Sequence, residues 1–111
     1  MRGRIEREGD VVRLALLGEF DMAAAGDFAA TLADIEATRP RAIVMDLAGL
    51  SFMDSTGLHA LLGAHERAVG SHVFAVLDGT GPAHRVLVLA GVAALLMVIG
   101  ELSEIPADAS C

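Results

Sequence analysis

The sequence predicts an α/β fold: a single domain with a mixed, mostly parallel sheet of four to five strands and helices packed on it. Three observations lead there. Short apolar runs rich in Val, Ile and Leu alternate with segments of helical periodicity, the pattern of strand–helix–strand units. The length of 111 residues suits one domain with one core. The apolar fraction of 54% comes mainly from Ala, Val and Leu, with four Phe and no Trp or Tyr, and side chains of that size suit closely packed strands and helices.

The first strand signal is Val11-Val12-Arg13-Leu14-Ala15-Leu16-Leu17, closed by Gly18. The turn pair Gly9-Asp10 joins it to a short strand around residues 4–8 as a hairpin. Asp21 is placed to cap a helix over residues 22 to about 38, with Met22, Ala25, Phe28, Ala29, Leu32 and Ile35 at three-four spacing. Pro40 stops it, because the residue before a proline disfavours helix. Ala42-Ile43-Val44-Met45-Asp46-Leu47 reads as a buried strand. Residues 48–53 read as a loop leading to Asp54-Ser55, which can cap a second helix to about Val69. That helix is expected to turn Leu58, Leu61, Leu62, His65 and Val69 to one face, with Gly70 just past its end. His72-Val73-Phe74-Ala75-Val76-Leu77 is a third strand. Pro82 opens a third helix that ends near Gly91, and residues 94–99 form a last strand. A helical turn before Pro106 closes the pattern. The core spans about residues 5–102, and residues 103–111 are expected to fray.

Composition excludes several classes. A formal charge of −7, with eight Arg scattered among fifteen acids, argues against nucleic acid and against an anionic membrane surface. The apolar run over residues 86–99 is shorter than the about 20 residues a membrane helix needs, and Gly91 divides it, so no membrane insertion is expected. The N-terminal residues contain no apolar stretch of a secretory signal, and the one cysteine, Cys111, can form no internal disulfide; both fit a cytoplasmic chain. The loop Asp78-Gly79-Thr80-Gly81-Pro82 lacks the Lys-Ser/Thr ending of a phosphate-binding loop, and the chain has no lysine at all. The same absence argues against a two-component receiver, despite the strand-end Asp46. The four His, at 59, 65, 72 and 84, lack the spacing of a metal set, and neither metal nor cofactor is expected. A Ser55–His84–Asp78 hydrolase lacks the Gly-x-Ser-x-Gly elbow, so no catalytic residue is assigned.

What remains is the start of the second helix. Asp54-Ser55-Thr56-Gly57 places three hydrogen-bonding side chains where backbone N–H groups lack partners. One cap needs only one of them. Gly57 weakens the helix there by about 0.5–1 kcal/mol relative to Ala but allows close approach. Phe52 and Met53 set large apolar groups beside the cluster, a combination suited to a partner surface.

The thirteen residues Asp46-Leu47-Ala48-Gly49-Leu50-Ser51-Phe52-Met53-Asp54-Ser55-Thr56-Gly57-Leu58 resemble the signature of the STAS domain family, most nearly that of bacterial anti-sigma factor antagonists. Gly18-Glu19-Phe20-Asp21 resembles that family's turn between the first long strand and the first helix. The resemblance implies phosphorylation of Ser55, the serine directly after the motif aspartate, by an anti-sigma factor with serine-kinase activity. It implies that the unphosphorylated form binds this partner and frees the sigma factor, and that a serine phosphatase reverses the modification. Phe52, Met53, Asp54, Thr56, Gly57 and Leu58 would form the partner surface, with Asp21 in support. A fixed STAS module for assembly or ligand sensing is the alternative reading. The family's last helix is usually long, whereas few residues follow Glu101 here; that leaves the sheet less covered and allows a homodimer.

Overall fold

The computed structural model describes residues 1–105. Gly9, at φ 63°, reverses the chain between β1 (Arg2–Glu8) and β2 (Val11–Phe20), which pair antiparallel from Arg2 opposite Leu17 to Glu8 opposite Val11. β3 (Ala42–Asp46), β5 (Val73–Leu77) and β6 (Met97–Ile99) then add in parallel, giving the order β1-β2-β3-β5-β6. Cross-strand rows such as Val12–Ile43–Phe74 and Leu14–Met45–Val76 line the face on which the helices pack. The alternation along β2 sends Arg13 to the other face, where Val44, Ala75 and Ile99 form a smaller apolar cluster. Leu102 and Ile105, at either end of the 3-10 turn Leu102–Glu104, pack on that cluster. Residues 106–111, which include Pro106, Cys111 and most of the expected frayed end, lie outside the described residues.

Several expectations change. Gly18 does not close the second strand. It sits at φ 94° in a register shift, beyond which β2 runs on to Phe20 beside a new partner. That partner is β4 (Leu50–Met53), expected to be loop, so the sheet has six strands. Asp21 caps a 3-10 turn (Met22–Ala24), its Oδ1 accepting from the Ala24 N–H at 3.3 Å, before α1 (Ala25–Ala37) begins. The tighter turn has three residues per turn and puts Met22 out of phase with the buried stripe of Phe28, Leu32 and Ile35, so Met22 is 80% exposed. α2 (Ser55–Ala68) buries Gly57, Leu61, Ala64 and Ala68; Val69 is past its end and exposed. α3 (Pro82–Leu89) starts at Pro82 as expected. The last strand shrinks to Met97–Ile99, because residues 93–95 form turns. Among the described residues no helix is long and apolar enough to cross a membrane.

Asp46 has a structural role. Its carboxylate accepts from Arg13 Nε at 3.0 Å and from Arg13 Nη2, and its Oδ1 accepts from the Ala48 N–H at 3.0 Å. The hydrogen bond to Asp46 raises the Arg13 pKa above its ordinary value, against the opposing effect of burial. The pair ties β2 to β3 and fixes the turn into β4.

Candidate functional site

The site is built where β2 and β4 end together. Phe20 pairs with Met53, and each strand is followed by an aspartate that caps a helical segment: Asp21 after Phe20, Asp54 after Met53. The Asp54 N–H donates to the Phe20 carbonyl at 3.4 Å, and Ser51 Oγ donates to the Gly18 carbonyl at 3.1 Å. These bonds hold the two strand ends side by side. Asp54 has extended backbone (φ −115°, ψ −165°), and its Oδ1 accepts from the Thr56 N–H at 2.9 Å.

Ser55 is therefore the first helical residue of α2, and its side chain is exposed. Its hydroxyl has no hydrogen-bond partner among the described residues. Asp78 and His84, the other members of the imagined triad, bond to each other (Oδ2 to Nδ1, 2.7 Å) at the β5–α3 connection. That pair bonds within its own connection, and no hydrogen bond joins either residue to Ser55.

Gly57 has a reason that the sequence did not show. A Cβ there would lie 2.6 Å from Met53 Cγ, 3.1 Å from Met53 Sδ and 3.2 Å from Phe20 Cγ. The first turn of α2 rests directly on Met53 and Phe20, and the Phe20 ring packs on Phe28 with centroids 4.9 Å apart. Close approach does occur at Gly57, but from inside the molecule. Met53, expected as surface, is correspondingly only 3% exposed. It supports the site from beneath and offers nothing to a partner. Phe52, its neighbour on the strand, is 45% exposed and is the apolar group available at this surface. Thr56 and Leu58 are half-buried, and Leu58 packs against the core.

Two further features border the site. Met22, the residue after Asp21, adds exposed apolar area; its spacing was the available signal, since a residue six before Phe28 falls on a different helical face. Glu19, Asp21 and Asp27 line a shallow cleft of about 270 Å³, so this flank is acidic. The surface around Ser55 thus combines the exposed Ser55 hydroxyl, apolar side chains and carboxylates on a rigid base.

The family model described as STAS domain matches residues 4–104. No curated protein matches the chain in sequence. Among solved structures, an anti-sigma factor antagonist from Mycobacterium paratuberculosis superposes with a TM-score of 0.83 at 27% identity, over 93% of this chain and 88% of that one. The anti-sigma factor antagonist SpoIIAA in its unphosphorylated form gives 0.72 at 24% identity, over 92% and 91%. The Bacillus cell fate determinant SpoIIAA in the phosphorylated form gives 0.65 at 24%, over 92% and 95%. These two likenesses are of fold. With an α/β architecture of three helices on a mixed sheet, and a family match over nearly its whole length, the chain belongs to the STAS domain family.

Proposed function

We propose that this chain is an anti-sigma factor antagonist switched by phosphorylation of Ser55. In this reading the unphosphorylated form binds, in the cytoplasm, an anti-sigma factor that is also a serine kinase, and so releases the sigma factor. Phosphorylation of Ser55 ends the complex, and a serine phosphatase restores it. The observation that carries the proposal is the exposed, unbonded Ser55 hydroxyl at the first position of α2, flanked by Asp54 and exposed Phe52.

The physical chemistry supports a switch without refolding. A phosphate adds about −1.5 to −2 charges at neutral pH. At the N-terminus of α2 the helix dipole favours an anion by about 0.3–1 kcal/mol, so the fold tolerates it. A partner covering Phe52 would have to desolvate that charge beside Asp54, at a cost of about 2–5 kcal/mol for an unpaired buried charge. Asp21, Thr56 and Leu58 belong to the rim of the same surface. Gly57 and Met53 act from below by fixing its shape.

The test uses the cognate kinase. With ATP, phosphate is expected on Ser55 alone, and Ser55→Asp is expected to weaken binding by about 2 kcal/mol or more while the melting temperature stays nearly unchanged. Incorporation at another residue, or equal binding by wild type and Ser55→Asp, rules the proposal out.

A further inference from the structure

α1 and α2 end beside each other, joined by Arg67 Nε donating to Glu36 Oε2 at 3.2 Å, and between them opens a cleft of about 640 Å³. Glu36, Arg39, Pro40, Arg67, Ser71 and His72 line it. Its volume is in the range of small-molecule sites. It lies at the far end of α2 from Ser55, about 20 Å away by the rise of a helix of 14 residues.

Helix C-termini normally present bare carbonyls that repel anions. Here several of the carbonyls near those ends are engaged within the fold. Ile35 O accepts from Thr38 N and Oγ1 at 3.1 and 2.7 Å, and Glu36 O accepts from the Arg39 N–H at 3.1 Å. Ala68 O accepts from the Ser71 and His72 N–H groups at 2.8 and 3.1 Å. Side-chain donors remain beside them. The Arg39 guanidinium has no partner among the described residues, and Arg39 sits at φ 53°, a left-handed conformation that non-glycine residues rarely adopt. His72, in the cleft wall, keeps its Nε2 enclosed and without a hydrogen-bond partner, so a ligand reaches it by a shift of the ring. Burial pushes the His72 pKa below its ordinary value, with Glu36 acting against it and Arg67 with it, which favours the neutral ring. The one carboxylate in the cleft, Glu36, is held by Arg67. Two guanidiniums against one carboxylate leave the cleft positive in a chain of net charge −7.

We infer that this cleft is a binding site for a small organic anion, a phosphate monoester or a carboxylate, held by Arg39 and Arg67 with His72 Nε2–H and the Ser71 hydroxyl as neutral donors. A cation is disfavoured, because it would meet two guanidiniums and would have to displace Arg67 from Glu36. The site is independent of the Ser55 reading and needs no partner protein.

Amide chemical shifts of the full chain, titrated at constant ionic strength with phenyl phosphate, benzoate and phenol, test it. The expected result is saturable shifts at Arg39, Ser71 and His72 with one or both anions and none with phenol; the anion that binds more tightly identifies the acid group. Arg39→Glu, at an exposed position, is expected to weaken binding by at least about tenfold. His72→Phe should weaken it as well, whereas His72→Gln, which keeps an N–H donor, should restore part of it. Ser55→Ala should bind as wild type does. Shifts that rise linearly without saturating, shifts centred on residues 54–57, or equal affinity in Arg39→Glu would overturn the inference. A failure here leaves the kinase assay untouched, and the reverse also holds.

Discussion

At its first turn α2 rests on apolar side chains with no room to spare: Met53 and Phe20 fill the space a Cβ at Gly57 would need. At its last turn the same helix borders an open cleft, where Arg39 and the buried His72 Nε2 have no partner. One end is closed below and presents the Ser55 hydroxyl outward. The other is open and presents unused donors inward. The difference separates two ways a surface is readied for chemistry. On the proposed reading Ser55 is a modification site with a fixed base, where an added phosphate would act through what it clashes with. A ligand site needs unfilled volume and unsatisfied polar atoms, because the ligand completes them.

The sharpest way to break this comparison is to add bulk along α2. Gly57→Val is expected to destabilise the fold by about 3 kcal/mol, since Met53 and Phe20 cannot both move aside in a packed core. At Gly63 an added methyl would meet only Arg67 Nη1, at 3.6 Å, so Gly63→Ala should stabilise by about 0.5–1 kcal/mol through helix propensity. Urea denaturation of both variants checks this; glycine replacements of equal effect would show that the helix is not seated differently at its start. Next in size, Asp54→Ala should cost about 1 kcal/mol by removing the cap on the Thr56 N–H, and should speed amide exchange at residues 55–57 before any other part of α2.

The smallest effect belongs to the open end. The folded-state pKa of His72 is below its ordinary 6.5, with burial the main cause, so folding favours the neutral ring. That contribution is fully present above pH 6.5 and is lost as pH falls from there through the lower folded-state value. The melting temperature of wild type should therefore drop more between pH 7.5 and 5.5 than that of His72→Gln. Parallel curves would show that His72 does not sense the cleft.

The parts legible in the sequence were those fixed by local chemistry. Gly9-Asp10 marks a hairpin, Asp21 and Asp54 mark caps, and Pro82 marks a helix start, each through its own backbone preferences. The missed parts depend on distant chain. Residues 50–53 become a strand only because β2 continues past its bulge at Gly18 and offers a free edge, some thirty residues earlier in sequence. The pattern buried, exposed, exposed, buried from Leu50 to Met53 has no two-residue period, so nothing marked Met53 as inward and Phe52 as outward. The cleft at Arg39 and His72 was hidden for the same reason: it exists only where the ends of α1 and α2 meet. The place of Ser55 at a helix start was legible; what lies beneath it was not.

The seating of Gly57 on Met53 and Phe20 also bears on how an enzyme could reach Ser55. An enzyme that modifies a flexible tail draws it out straight and reads side chains one after another. Ser55 cannot be drawn out without breaking the Asp54–Thr56 cap and lifting the first turn of α2 off the core. A modifying enzyme must therefore dock on the folded domain and recognise a contour, and an isolated peptide of residues 50–60 should be a poor substrate. The footprint used for docking then contains the atom that is changed. Under the proposed switch, each turnover would place a new charge at the centre of the surface that holds the pair together, and the product would leave.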